Sequence, residues 1–84
     1  MENIFKEVEK QLNTMFNIVM RNLYCKLDYY DNKGSIIVYK KYNKIKKCVY
    51  VIDLTKLYES VKSLSISDLT FISYYIISKH VKGD

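Results

Sequence analysis

The chain has 84 residues, of which 49% are apolar, with two cysteines, one histidine and a formal net charge of +5. That length makes one domain with a modest core, and the apolar share excludes global disorder. Two cysteines without a CxxC spacing exclude a disulfide-stapled scaffold, and no apolar run approaches the roughly 18 residues that span a bilayer.

The opening MENIFKEVEK is too charged for a signal peptide, so a cytoplasmic, intracellular protein is expected, including one made inside an infected host cell. Isoleucine, lysine, asparagine and tyrosine are frequent, alanine and proline are absent, and arginine occurs once. These choices track A/T-rich codons and point to an AT-rich genome: a low-GC bacterium, its phage, or another virus. Lysine abundance alone therefore says little about function, whereas lysine clustering does.

Residues 2–24 have helical periodicity. Phe5, Val8, Leu12, Met15, Val19 and Leu23 follow steps of three and four, and Ile4 and Phe16 widen the stripe. From Cys25 the period changes to two, through Cys25, Leu27 and Tyr29. Asp31-Asn32-Lys33-Gly34 predicts a tight turn, with Gly34 supplying a positive φ. Ile36 to Tyr42 predicts a second strand, Asn43 to Lys46 a second turn, and Cys48 to Ile52 a third strand rich in β-branched residues.

If both hairpins are tight, Cys25, Leu27, Tyr29, Ile36, Val38, Val49 and Val51 share one face. The other face then carries Lys26, Asp28, Tyr30, Ile37, Tyr39, Lys41, Cys48, Tyr50 and Ile52. The cysteines fall on opposite faces, which predicts no disulfide between them. Residues 54–64 predict a short helix capped by Asp53 or Thr55, with Leu54, Leu57, Tyr58, Val61 and Leu64 inside. A last helix starts near Ser65 or Ser67 and runs to about Val81, with Gly83 beyond it as a stop. Leu69, Ile72 and Ile76 make one stripe, while Phe71, Tyr74 and Tyr75 lie elsewhere on its surface. The expected fold is a single α+β domain over residues 1–84, in the order α-β-β-β-α-α.

This order is similar to that of double-stranded RNA-binding domains. That family places basic residues at the start of its C-terminal helix and in a loop between strands. Here the corresponding helix starts Asp53-Leu54-Thr55-Lys56, with a single lysine. The helix patch is absent, and the family's binding residues are not carried over.

Residues 33–47, KGSIIVYKKYNKIKK, hold six lysines and no acid, whereas the flanking segments are close to neutral. Lys40, Lys41, Lys44, Lys46 and Lys47 gather around the second turn, and Lys33 lies at the first. Clustered ammonium groups raise the local potential and release counterions on meeting phosphates. Tyr39, Tyr42 and Tyr50 are placed to stack on bases or donate to phosphates. With a single arginine, Arg21, base reading through bidentate contacts is not expected. Backbone recognition is the expected mode.

Catalysis lacks support. His80 sits in the last helical turn, where a dipole contact explains it. No phosphate loop, paired carboxylates or zinc-ligand spacing occurs, and no catalytic residue, metal or cofactor is expected. The favoured expectation is a non-enzymatic protein that binds nucleic-acid backbone through residues 33–47. The competing one is a viral or mobile-element accessory protein that docks on a host protein, an acidic surface or a second copy of itself. It would use Tyr30, Tyr39, Tyr50, Phe71, Tyr74 and Tyr75, because interface centres are enriched in aromatic residues.

Overall fold

The computed structural model describes residues 1–60 and 65–81. It contains α1 (Glu2–Val19), β1 (Leu23–Tyr30), β2 (Lys33–Tyr42), β3 (Ile45–Asp53), α2 (Leu54–Ser60) and α3 (Ile66–His80). The expected α-β-β-β-α-α order is the observed one. The strands form an antiparallel sheet in the order β1-β2-β3. Val61, Leu64 and Gly83, expected to pack under or stop the last two helices, lie outside the described residues.

Helix α1 buries Phe5, Val8, Leu12 and Phe16. Its apolar stripe continues in sequence to Val19, but the helix ends there and Val19 is 63% exposed. Leu23, expected as the last helical stripe residue, instead enters the core from the start of β1. Shortening the helix lets the chain turn back, so that β1 runs beneath α1.

The first hairpin does not use its glycine for the turn. Asp31 and Asn32 hold φ of 53° and 61°, the two positive values of a type I′ turn. Gly34 is a strand residue without positive φ. Its requirement is space: an added Cβ would lie 2.4 Å from Cδ2 of Phe5. The Phe5 ring sits on the backbone of β2, edge-on to Tyr29 and Tyr58, with centroids 6.1 and 6.0 Å away. Thus α1 meets the sheet where the sheet lacks a side chain.

The β2–β3 register corrects the expected faces. Tyr42 pairs with Ile45, and Tyr39 with Cys48, but Val38 pairs with Tyr50. Val49 is thus an extra residue, a β-bulge that reverses the alternation of everything after it. Tyr50 and Ile52 join Ile36 and Val38 on the core face, and Ile52 is buried. Val51, expected inside, is 51% exposed. Cys48 precedes the bulge and keeps its outward position. It is free and exposed, whereas Cys25 is free and buried.

The two edges of the sheet are treated differently. Along β1, the Asn13 side chain acts as a short piece of a fourth strand. Its Oδ1 accepts from Cys25 N at 2.8 Å, and its Nδ2 donates to Cys25 O at 3.0 Å. Glu9 Oε2 accepts from Leu27 N at 2.5 Å. Edge amides that would otherwise template another strand are thereby closed.

Past β3, Asp53 Oδ1 caps α2 by accepting from Lys56 N, while Thr55 Oγ1 accepts from Gly34 N. Ser65 Oγ caps α3 by accepting from Asp68 N. Helix α3 turns a different side inward from the one its isoleucines suggest. Leu69, Thr70, Ser73 and Ile77 are buried, whereas Ile72 and Ile76 are half-buried. The buried hydroxyls of Thr70 and Ser73 are satisfied within the helix, donating to Ile66 O and Leu69 O. All three helices cover one face of the sheet, and no described helix is long and apolar enough to cross a membrane.

The Phe5–Gly34 contact yields a prediction. Gly34→Ala forces a buried ring or the β2 backbone to move, and overpacking of this kind costs about 1–3 kcal/mol. The urea midpoint should fall accordingly, although alanine suits a strand better than glycine does. An unchanged or raised midpoint would show that the ring does not constrain this position.

Candidate nucleic-acid interface

With the helices on one side, no other described element covers the opposite face of the sheet. It can be read as cross-strand rows. Tyr30 faces Lys33. Asp28, Ser35 and Asp53 form the next row, then Lys26, Ile37 and Val51, then Tyr24, Tyr39 and Cys48. Lys41 faces Lys46 in the last. Past the Tyr30–Lys33 row, charge therefore runs from two carboxylates flanking Ser35, through Lys26, to two lysines beside the second turn. Lys44 stands in that turn, exposed.

The basic end is built on aromatic rings. Tyr24 and Tyr39 stack across β1 and β2, with centroids 5.2 Å apart and planes at 18°. The Nζ atoms of Lys41 and Lys46 lie 5.1 and 5.6 Å from the Tyr24 ring centroid. Such contacts contribute about 0.5–1 kcal/mol each at exposed sites. They hold two like charges close together, although facing lysines on adjacent strands repel. Among the described residues, no carboxylate pairs with Lys41, Lys44, Lys46 or Lys47.

The expected lysine set is only partly assembled. Lys40 alternates to the core face, opposite Leu23 and Lys47, and is 8% exposed, with its Nζ 5.3 Å from the Tyr42 ring centroid. It is therefore not a surface contact. Lys47 shares that face but is exposed, and Tyr42 is exposed beside the turn. Lys33 lies at the opposite end of β2, roughly 30 Å from Tyr42 at strand rise, which is well beyond a Debye length.

Two residues of the basic end were not among the expected contacts. Tyr24 falls at the change from helical to strand periodicity, and only the β1 register shows it opposite Tyr39. Arg21 belongs to the α1–β1 turn. That turn is tied to the basic end by Lys41 N donating to Asn22 O at 2.9 Å, and Arg21 is exposed there.

The expected partner-binding aromatics scatter. Tyr30 is 81% exposed at the far turn. Tyr50, expected on the outer face, lies on the core face and stacks on the His80 ring at 4.9 Å. Tyr74 is half-buried against Phe16, while Phe71 and Tyr75 are 62% and 57% exposed on α3.

Reactive chemistry is not assembled around the cysteines or the histidine. His80 Nδ1 donates to Ile76 O at 2.9 Å, a local helix contact. No group of three or more metal-ligating side chains gathers among the described residues. Burial, reinforced by the charge of Glu9, pushes the Cys25 thiol up to about 12, the opposite of a nucleophile's requirement. Comparison with protein-family models, curated proteins and solved structures returns no match.

The cysteines give a direct check. In the native protein a thiol reagent at pH 8 should modify Cys48 alone, with Cys25 reacting only on unfolding. Because the folded pKa of Cys25 is raised, its protonated form stabilises the native state below the unfolded value of about 9. That contribution should be lost as pH rises from about 9 to about 12. The stability difference between wild type and Cys25→Ala should shrink over this range, and a difference independent of pH would contradict the assignment.

Proposed function

We propose that this protein is a non-enzymatic binder of nucleic-acid backbone, acting through the basic end of its open sheet face. The observation that carries this reading is the Lys41–Lys46 pair, two cations held opposite each other over Tyr24 without an acidic partner among the described residues. A phosphate between the two ammonium groups would turn a repulsive pair into an attractive triad. Lys44 in the turn and Arg21 beside Asn22 extend the cationic surface on either side. Tyr24 and Tyr39 supply hydroxyls and ring faces at the same height, a combination suited to a strand whose bases are exposed. Lysines recognise phosphate as point charges, so contact follows the backbone rather than the sequence.

The second reading, a protein partner or a second copy, draws support from Phe71 and Tyr75. They stand one helical turn apart on α3, both more than half exposed. It predicts self-association that depends on these two residues. A monomeric mass by light scattering at high concentration would remove the dimer.

The backbone-binding reading is tested by fluorescence anisotropy with labelled single-stranded and duplex oligonucleotides of mixed sequence. Three phosphate contacts should give log K falling against log salt with a slope of about −2 for single strands. Changing Lys41, Lys44 and Lys46 together to glutamine should weaken binding at least about tenfold. It should leave thermal stability unchanged or slightly higher, because like charges are removed. Absence of binding at low salt, or binding indifferent to salt, would overturn the proposal.

A further inference from the structure

The sheet has a second unsatisfied element, the outward edge of β3. Cys25 and Leu27 direct their N–H groups away from β2, to Asn13 and Glu9. Hydrogen bonding alternates along an antiparallel ladder. Strand β2 therefore bonds to β1 through Ser35, Ile37 and Tyr39, and to β3 through Ile36 and Val38. Their partners Ile52 and Tyr50 direct their backbone groups at β2. Val51, between them, points both its N–H and its C=O out of the sheet. No other described residue takes up these groups. Where the β1 edge is closed by two side chains of α1, no described residue closes the β3 edge at Val51.

Beside this edge is a cleft of about 370 Å³, at the small end of ligand-sized cavities. The core-face side chains of Tyr50 and Ile52 border it together with Leu57 of α2 and Ile76 of α3, and Lys56 and Ser60 line it further along α2. An exposed strand edge next to an apolar cleft between sheet and helix is the arrangement in which an extended peptide adds as a further strand. Main-chain bonds then supply affinity, and a pocket receives an alternate side chain. The electrostatics select the occupant. Lys46 and Lys47 lie upstream on the same strand, and Lys56 stands beside the cleft. The carboxylate there, Asp53, already accepts from Lys56 N. A second copy of the chain would present a strand of the same positive sign, which opposes pairing.

We propose that the β3 edge and this cleft bind an extended acidic segment of a partner protein. The segment pairs with the backbone of Val51, seats one apolar side chain between Leu57 and Ile76, and lays its acidic residues over Lys46 and Lys47. This site shares Lys46 with the basic end of the outer face, but Val51 and the cleft stand apart from the row of Tyr24 and Tyr39, so changes at Val51 and Lys56 separate the two proposals.

The probe is a fluorescein-labelled, terminally blocked decapeptide of sequence DEEVTVLVTE, alongside a counterpart with lysine at every acidic position. The acidic peptide should bind saturably to the full chain, at least about tenfold more tightly than the lysine peptide. In amide hydrogen exchange it should slow Val51. Val51→Pro removes an outward N–H that the ladder does not use, a position where edge strands accept proline. It should weaken the peptide about fivefold or more and leave oligonucleotide binding unchanged. Should this variant fail to fold, Lys47→Glu with Lys56→Glu is the second test, and the same loss of peptide affinity is expected.

Equal affinity for the two peptides would overturn the proposal, as would an unprotected Val51 amide in the complex. A doubled mass with Val51 already protected in the free protein would assign the edge to a second copy instead.

Discussion

The docking of α1 onto β1 and β2 is the constraint from which the rest of the arrangement follows. Phe5 rests on the bare backbone at Gly34, and Asn13 and Glu9 complete the hydrogen bonds of Cys25 and Leu27. One helix thus closes one end of the core and one edge of the sheet together. Its buried residues, Phe5, Val8, Leu12 and Phe16, contribute about 1.5–3 kcal/mol each on leaving water. In a chain of this length, that is a large part of the favourable term.

Closing one face and one edge leaves the opposite face and the opposite edge uncovered by any described residue. The open face carries the tyrosine stack with its two lysines, and the open edge carries Val51 beside the cleft. Both regions keep groups that want a partner: cations without carboxylates in one case, backbone donors and acceptors in the other. A small domain that spends its helices on one side of a three-stranded sheet has few ways to satisfy these groups internally. The bulge at Val49 and the lysines of β3 also blunt the edge against indiscriminate pairing. Selectivity for an acidic strand is compatible with that protection, because the lysines that deter a like strand attract an unlike one.

The bulge connects the two regions. Without it, Tyr50 and Ile52 would continue the outer face beside Tyr39, making one broad aromatic surface. With it, Tyr50 turns inward to stack on His80, and Ile52 enters the core. The outer face keeps Tyr24 and Tyr39 as its aromatic pair. A single inserted residue therefore separates the tyrosine and lysine face from the cleft beside β3.

Much of this was determined by the sequence alone. The stripe from Phe5 to Phe16, the alternation from Cys25 to Tyr29, the Asp31-Asn32 turn and the serine cap at Ser65 are local patterns, and each dictates its element through contacts within a few residues. The clustering of lysines near residues 40–47 is equally local. What only tertiary structure decided depends on register and on contacts distant in sequence. No local pattern marks Val49 as a bulge, because the chain at that point is uniformly β-branched and aromatic, and pairing with β2 sets the count. The same pairing turned Lys40 inward, brought Tyr24 against Tyr39, and carried Lys33 to the far end of the sheet. Gly34 read as a turn glycine because glycine favours turns, whereas its actual role is to leave room for a ring supplied from nearly thirty residues away. Local propensity specifies the elements, and the faces they present are settled when the strands align.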